Sequence, residues 1–310
     1  MTVFLNALPG AIAQGLIWGL VAIGVYISYK ILDIADLTVE GSICTGACIC
    51  AVMLAGGSPV WLAVLVAFLA GAATGVLTGL LHTALGIPSI LAGILTQLIL
   101  YSVNLSILGS KSLIAIDPRA NQLWVHMSNN PGSILSAAVI ITAVIIGLWL
   151  FFYTEVGLTL KSTGDNPDMS RAQGVNVKFN KVLGLAISNG IVALAGALLA
   201  QYKGSANIND GRGAIVIGLA AIFIGLSVSM KIKPNFVVSL IGVVGGGIVY
   251  YIIYNFVILL GLKTDYLKML SAIIVVLFLA VPYLKGEYFK KQKPLPVQTG
   301  EPNGGGEGNA

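Results

Sequence analysis

The chain has 310 residues, of which 57% are hydrophobic and only 9% charged. Soluble globular chains carry about 25% charged residues, and this one has too little polar surface to clothe a water-soluble fold. Soluble enzymes, fibrous proteins and disordered chains are excluded, and an all-α polytopic membrane protein is expected. The net charge of +5, from 17 Lys and Arg against 12 Asp and Glu, does not point to nucleic acid. The cations sit mostly in short loops, where they set membrane orientation.

A helix needs about 20 apolar residues to cross the hydrocarbon core. Applied along the chain, that rule predicts about nine crossings, with eight to ten allowed by soft boundaries. The first, 9–28, follows no basic stretch and no cleavage site, so it is expected to insert and stay. The second, 41–55, is short and follows the polar run Asp33, Asp36, Thr38 and Glu40, so it reads as a broken or partly re-entrant helix. It carries Cys44, Cys48 and Cys50, an odd set without a Cys-x-x-Cys pair or a nearby His. Neither a disulfide framework nor a metal site is expected. Spans at 60–81, 89–108 and 133–152 come next, with a long loop at 109–132. A second long loop, 154–181, precedes spans at 182–201, 213–230, 236–260 and 266–284. Residues 1–285 then form one transmembrane domain. Residues 286–310 end in a Gly-rich polar stretch that cannot bury a core and read as a disordered cytoplasmic tail.

Charge asymmetry orients this bundle. With the N-terminus outside, Lys30, Lys161, Arg171, Lys178, Lys181, Lys231, Lys233, Lys285, Lys290, Lys291 and Lys293 fall inside. Lys111, Arg119, Lys203, Arg212, Lys263 and Lys268 fall outside. The larger inside share predicts an N-out, C-in topology.

The loop at 154–181 holds the clearest local signals. Asn166 is a good N-cap. Pro167 follows at the first helical position, where its missing N–H costs nothing. Asp168 sits on the favourable side of the helix dipole, and Gly174 stands where a left-handed residue closes a helix. The predicted helix, 167–173, is too short to be stable alone in water, so it is expected to dock against a partner. Met169, Ala172 and Val175 lie at helical spacing for such a contact, and Arg171 and Lys161 can pair with acidic groups there. The plainer alternative is a capped turn that only links two spans.

This loop resembles the coupling-helix loop of ABC importer permeases of the branched-chain amino acid and ribose permease superfamily. Lys161, Gly164, Asn166, Pro167, Ala172, Gly174, Val175 and Asn176 match the family pattern, while Met169 and Ser170 replace its usual small-residue pair. The resemblance continues in the glycine-rich first span at 15–24, in the Asp36-Leu-Thr-Val-Glu-Gly-Ser42 stretch, in 211–225 and in Asp265-Tyr-Leu-Lys268, covering about residues 10–285. It is strongest to a subgroup of amino acid permeases that includes carriers of aromatic amino acids. The resemblance implies an importer subunit in a prokaryotic plasma membrane. The implied partners are a cytoplasmic ABC ATPase dimer, an extracytoplasmic substrate-binding protein and a second permease copy or paired permease. It also implies that Lys161, Gly164, Asn166, Pro167, Asp168, Met169, Arg171, Ala172 and Gly174 form the ATPase-coupling element.

The chain carries no Gly-x-x-x-x-Gly-Lys-Ser/Thr phosphate loop, so ATP is expected to be bound by a partner subunit, with no cofactor here and no enzymatic activity. Polar residues in apolar spans tend to face a cavity or one another. Asp36, Thr38, Glu40, Gln97 and Asn189 are the candidates for a translocation path. Two blander readings compete. Asp33 and Asp36 would be ordinary interface residues with Glu40 capping its own helix, and Gln97 and Asn189 would only join helices. Glycines at spacing four (15/19, 71/75/79, 242/246) read as close-packing faces. The alternative functional reading is a stand-alone ion- or proton-coupled transporter with Glu40 and Asp36 as the relay.

Overall fold

The structure, a computed structural model, describes residues 2–117, 123–127, 130–229 and 235–259, with single positions between 269 and 280. The elements run α1 (Thr2–Tyr26), a π-helical turn (Ile27–Ile31), α2 (Thr38–Ala55), α3 (Val60–Thr83), α4 (Ser89–Ile107), β1 (Leu113–Ala115), α5 (Asn130–Phe152), α6 (Glu155–Asp165), α7 (Pro167–Ala172), α8 (Val177–Lys203), β2 (Ser205–Asn207), α9 (Ala214–Ser229) and α10 (Phe236–Leu259). Among the described residues, seven helices are long and apolar enough to cross a membrane. They correspond to all but two of the expected crossings. Of the span expected at 266–284 only single positions are described, and the tail at 286–310 lies outside the described residues.

The remaining span, expected at 213–230, is α9, an apolar helix whose described residues run Ala214–Ser229; what the sequence did not show is how the chain reaches it. After α8 ends at Gly204, a left-handed residue (φ 67°), the chain does not turn straight back into a helix. Residues Ser205–Asn207 pair antiparallel with Leu113–Ala115, with Ala206 opposite Ile114. The chain then runs down α2. The carbonyl of Ile208 lies 3.2 Å from the Cys44 thiol, and Gly211 packs on the Glu40 backbone. Hydropathy could not show this descent, because an apolar helix that begins mid-bundle scores like one that begins at its edge.

α8 forms the axis of the bundle, packed along α3, α2 and α1. The close approach comes from glycines. A Cβ at Gly75 would strike the Leu185 carbonyl, and one at Gly79 would come within 2.8 Å of the Val182 Cα. Gly46 of α2 sits equally tightly on Ala193, and Gly15 of α1 lies against Ile248 of α10. The spacing-four glycines are thus contact faces, as small residues are in membrane bundles. Cys44, Cys48 and Cys50 are free and buried.

Candidate functional site

Two places carry the sequence-predicted residues, and they are built in opposite ways. The first is a buried polar junction at the start of α2. Asp36 lies in the break between the π-helical turn and α2 and is 2% exposed. Its Oδ1 accepts from the Thr38 amide at 2.9 Å, capping α2, and its Oδ2 accepts from Asn189 Nδ2 at 2.7 Å. Asn189 Oδ1 in turn accepts from the Ser42 hydroxyl at 2.6 Å, which lies 2.7 Å from that of Thr74. A second chain runs from Thr38 to Thr78 (2.7 Å) and on to Thr96 (3.0 Å).

Glu40 is bound differently. Its Oε2 accepts from Gln97 Nε2 at 3.1 Å, and its Oε1 accepts from the Gly213 amide at 2.9 Å, at the entry to α9. Gly213 has a φ of 86°, a backbone shape that favours glycine. The junction therefore gathers the N-termini of α2 and α9, each facing a carboxylate, as the helix dipole favours. Asn189 is twelve residues into α8, about 18 Å from its first turn at 1.5 Å per residue, so these termini meet within the bundle.

All five path candidates, Asp36, Thr38, Glu40, Gln97 and Asn189, belong to this one assembly. Of the two readings left open for Asp36 and Glu40, the blander one does not fit. Glu40 does not cap its own helix, because the second span begins earlier than expected and places Glu40 inside it; Asp36 does the capping. Asp36 is also not an interface residue, since it is almost wholly buried. Ser42, Thr74 and Thr78 were missed. Their signal is the spacing of four between Thr38 and Ser42 and between Thr74 and Thr78, which puts each pair on one helix face.

The second place is the loop between α5 and α8. The Asn166 side chain accepts from the amides of Asp168 (3.1 Å) and Met169 (3.0 Å), and Gly174 takes φ 82°. α7 spans Pro167–Ala172, one residue less than expected. The loop is latched to the bundle from behind. Gly164 presses on the Ile31 carbonyl, Asn180 Nδ2 donates to Thr163 Oγ1 at 3.0 Å, and Ser170 Oγ donates to Ser162 Oγ at 3.2 Å. Ser170, one of the residues departing from the family pattern, thereby ties α7 to α6 within the loop. Asp168, Met169, Arg171 and Ala172 remain exposed. Asp168 and Arg171 form an ion pair at 3.3 Å whose side chains are 88% and 68% exposed, so it contributes about 1 kcal/mol at most. Lys161 is set apart from them, on α6 and beside Lys30 in a separate cavity.

Apolar helices around a buried polar junction, with a docked but outward-facing loop, define a membrane permease. The chain belongs to the family of branched-chain amino acid transport system permease components, which it matches over residues 8–279. It is 37% identical over 278 residues to a tyrosine transport system permease protein of Clostridioides difficile, covering 89% of this chain and 91% of that one. It is 33% identical over 293 residues to an uncharacterized protein of Rickettsia prowazekii, covering 91% and 99%. A galactose/methyl galactoside import permease protein of Escherichia coli is 25% identical over 233 residues, covering 73% and 68%. No solved structure matches the chain. The chain is the transmembrane subunit of an ABC importer, a multi-pass protein of the prokaryotic plasma membrane.

Proposed function

We propose that this permease carries an amino acid with an aromatic side chain, driven by a separate ATPase that engages α7. The observation that carries the coupling reading is the loop itself. A helix of six residues cannot hold itself together in water, yet this one is capped, latched from behind and turned outward. The substrate reading is supported by the likeness to a tyrosine transport system permease. Two copies form the pathway, one for each ATPase. A binding protein delivers substrate at the β1–β2 end, and the N-terminus lies outside with the C-terminus inside. Closure of the ATPase pair pushes α7, and the path runs past Glu40 and Gln97. ATP is bound by the partner, and the chain's own part is mechanical.

The test is uptake of labelled tyrosine into vesicles that hold the full chain with its ATPase and binding protein. Met169→Asp puts a charge into the contact and is expected to cut ATP-driven uptake by at least about tenfold, equivalent to about 1.4 kcal/mol of coupling, with the melting temperature unchanged. Uptake that follows an ion gradient and ignores ATP overturns the reading.

A further inference from the structure

A cavity of about 570 Å³ opens between the ends of the π-helical turn, α5, α6 and α10. It is of the size of small-molecule sites, about 300–1,000 Å³, and is separate from the polar junction. Two cations line it, Lys30 from the π-helical turn and Lys161 from α6, against one carboxylate, Asp165. Among the described residues neither lysine has an ion-pair partner. The rest of the wall is largely apolar, with Phe152, Leu158 and Phe236. Leu158, Lys161 and Asp165 follow the three-and-four spacing that places residues on one face of a helix.

We propose that this cavity binds the phosphate headgroup of an acidic phospholipid. A phosphate needs more cation than carboxylate around it, and basic pockets between spans at the inner surface meet this need. A free phosphate would use the lysines and leave the exposed Leu158 bare at the mouth, whereas an acyl chain covers it. A headgroup hydroxyl can donate to Asp165. The occupied site joins the end of the first span to α6, so the lipid braces the coupling loop against the bundle. The assignment to the inner leaflet rests on the N-out orientation proposed above, but the binding itself does not.

The test uses the full chain in discs of mixed phosphatidylcholine and phosphatidylglycerol, with retained lipid counted by native mass spectrometry. Phosphatidylglycerol is expected to be enriched on the order of thirtyfold, as about 1 kcal/mol for each of two lysines near an anionic surface implies. Lys30→Gln with Lys161→Gln abolishes the enrichment, and Lys30→Arg with Lys161→Arg keeps it. Lys178→Gln with Lys181→Gln removes the same charge elsewhere and leaves it unchanged. Should the first pair fail to fold, each single Lys→Gln variant is expected to give an intermediate value. Equal enrichment in the Lys30/Lys161 glutamine variants and the parent overturns the proposal. So does equal loss in the Lys178/Lys181 pair, or full displacement of the lipid by inorganic phosphate.

Discussion

α5 and α2 invert the rule that governs soluble proteins. α5 is the most apolar of the seven long helices, with a mean hydropathy of 2.7, yet 17% of its span window is buried. α2 has a mean hydropathy of 1.6, and 72% of its window is buried. Lipid solvates an apolar face as well as protein does, so hydrophobicity gives a helix no reason to move inward. What draws α2 inward is its Gly41, Ser42 and Gly46, together with Thr38, which bond or pack closely against neighbours. In α2 the buried contacts are made by small and polar residues, whereas α5 leaves much of its hydrocarbon exposed on the outside of the bundle.

That contrast can be broken most severely at Gly46. Gly46→Ala forces a methyl group into the Ala193 backbone and is expected to cost about 3 kcal/mol, the upper end of ordinary overpacking. Reversible unfolding in mixed micelles measures it. The junction comes next. Asn189→Ala strands Asp36 Oδ2 and leaves the Ser42 hydroxyl only Thr74, an expected loss of about 1–3 kcal/mol by the same assay.

The smallest effect is expected in the shell. A Cβ at Gly147 of α5 meets nothing within 4 Å, so Gly147→Ala should not destabilise and is expected to gain up to about 1 kcal/mol from helix propensity. A loss there equal to that at Gly46 would erase the distinction between interior and shell.

The spans were legible because each is a run of apolar residues, and α7 because Asn166, Pro167 and Gly174 specify both of its ends. The five path candidates were legible as polar groups in apolar surroundings. Their partners were not, because a hydrogen bond between Asp36 and Asn189 joins positions 153 residues apart and no local pattern encodes it. Periodicity was equally blind to the buried start of α9. That start depends on β2 pairing with a distant β1 and on Glu40 accepting from Gly213.

α8 has a further consequence. It begins at the Asn176 cap beside α7 and runs 27 residues without a break to Gly204 and β2, about 40 Å at 1.5 Å per residue. Between those ends it is seated in α3 and α2 and tethered to Asp36 by Asn189. A stiff rod gripped along its length cannot absorb a displacement locally. A shove at one mouth of the bundle is therefore felt at the other, and the junction lies on the shaft between them.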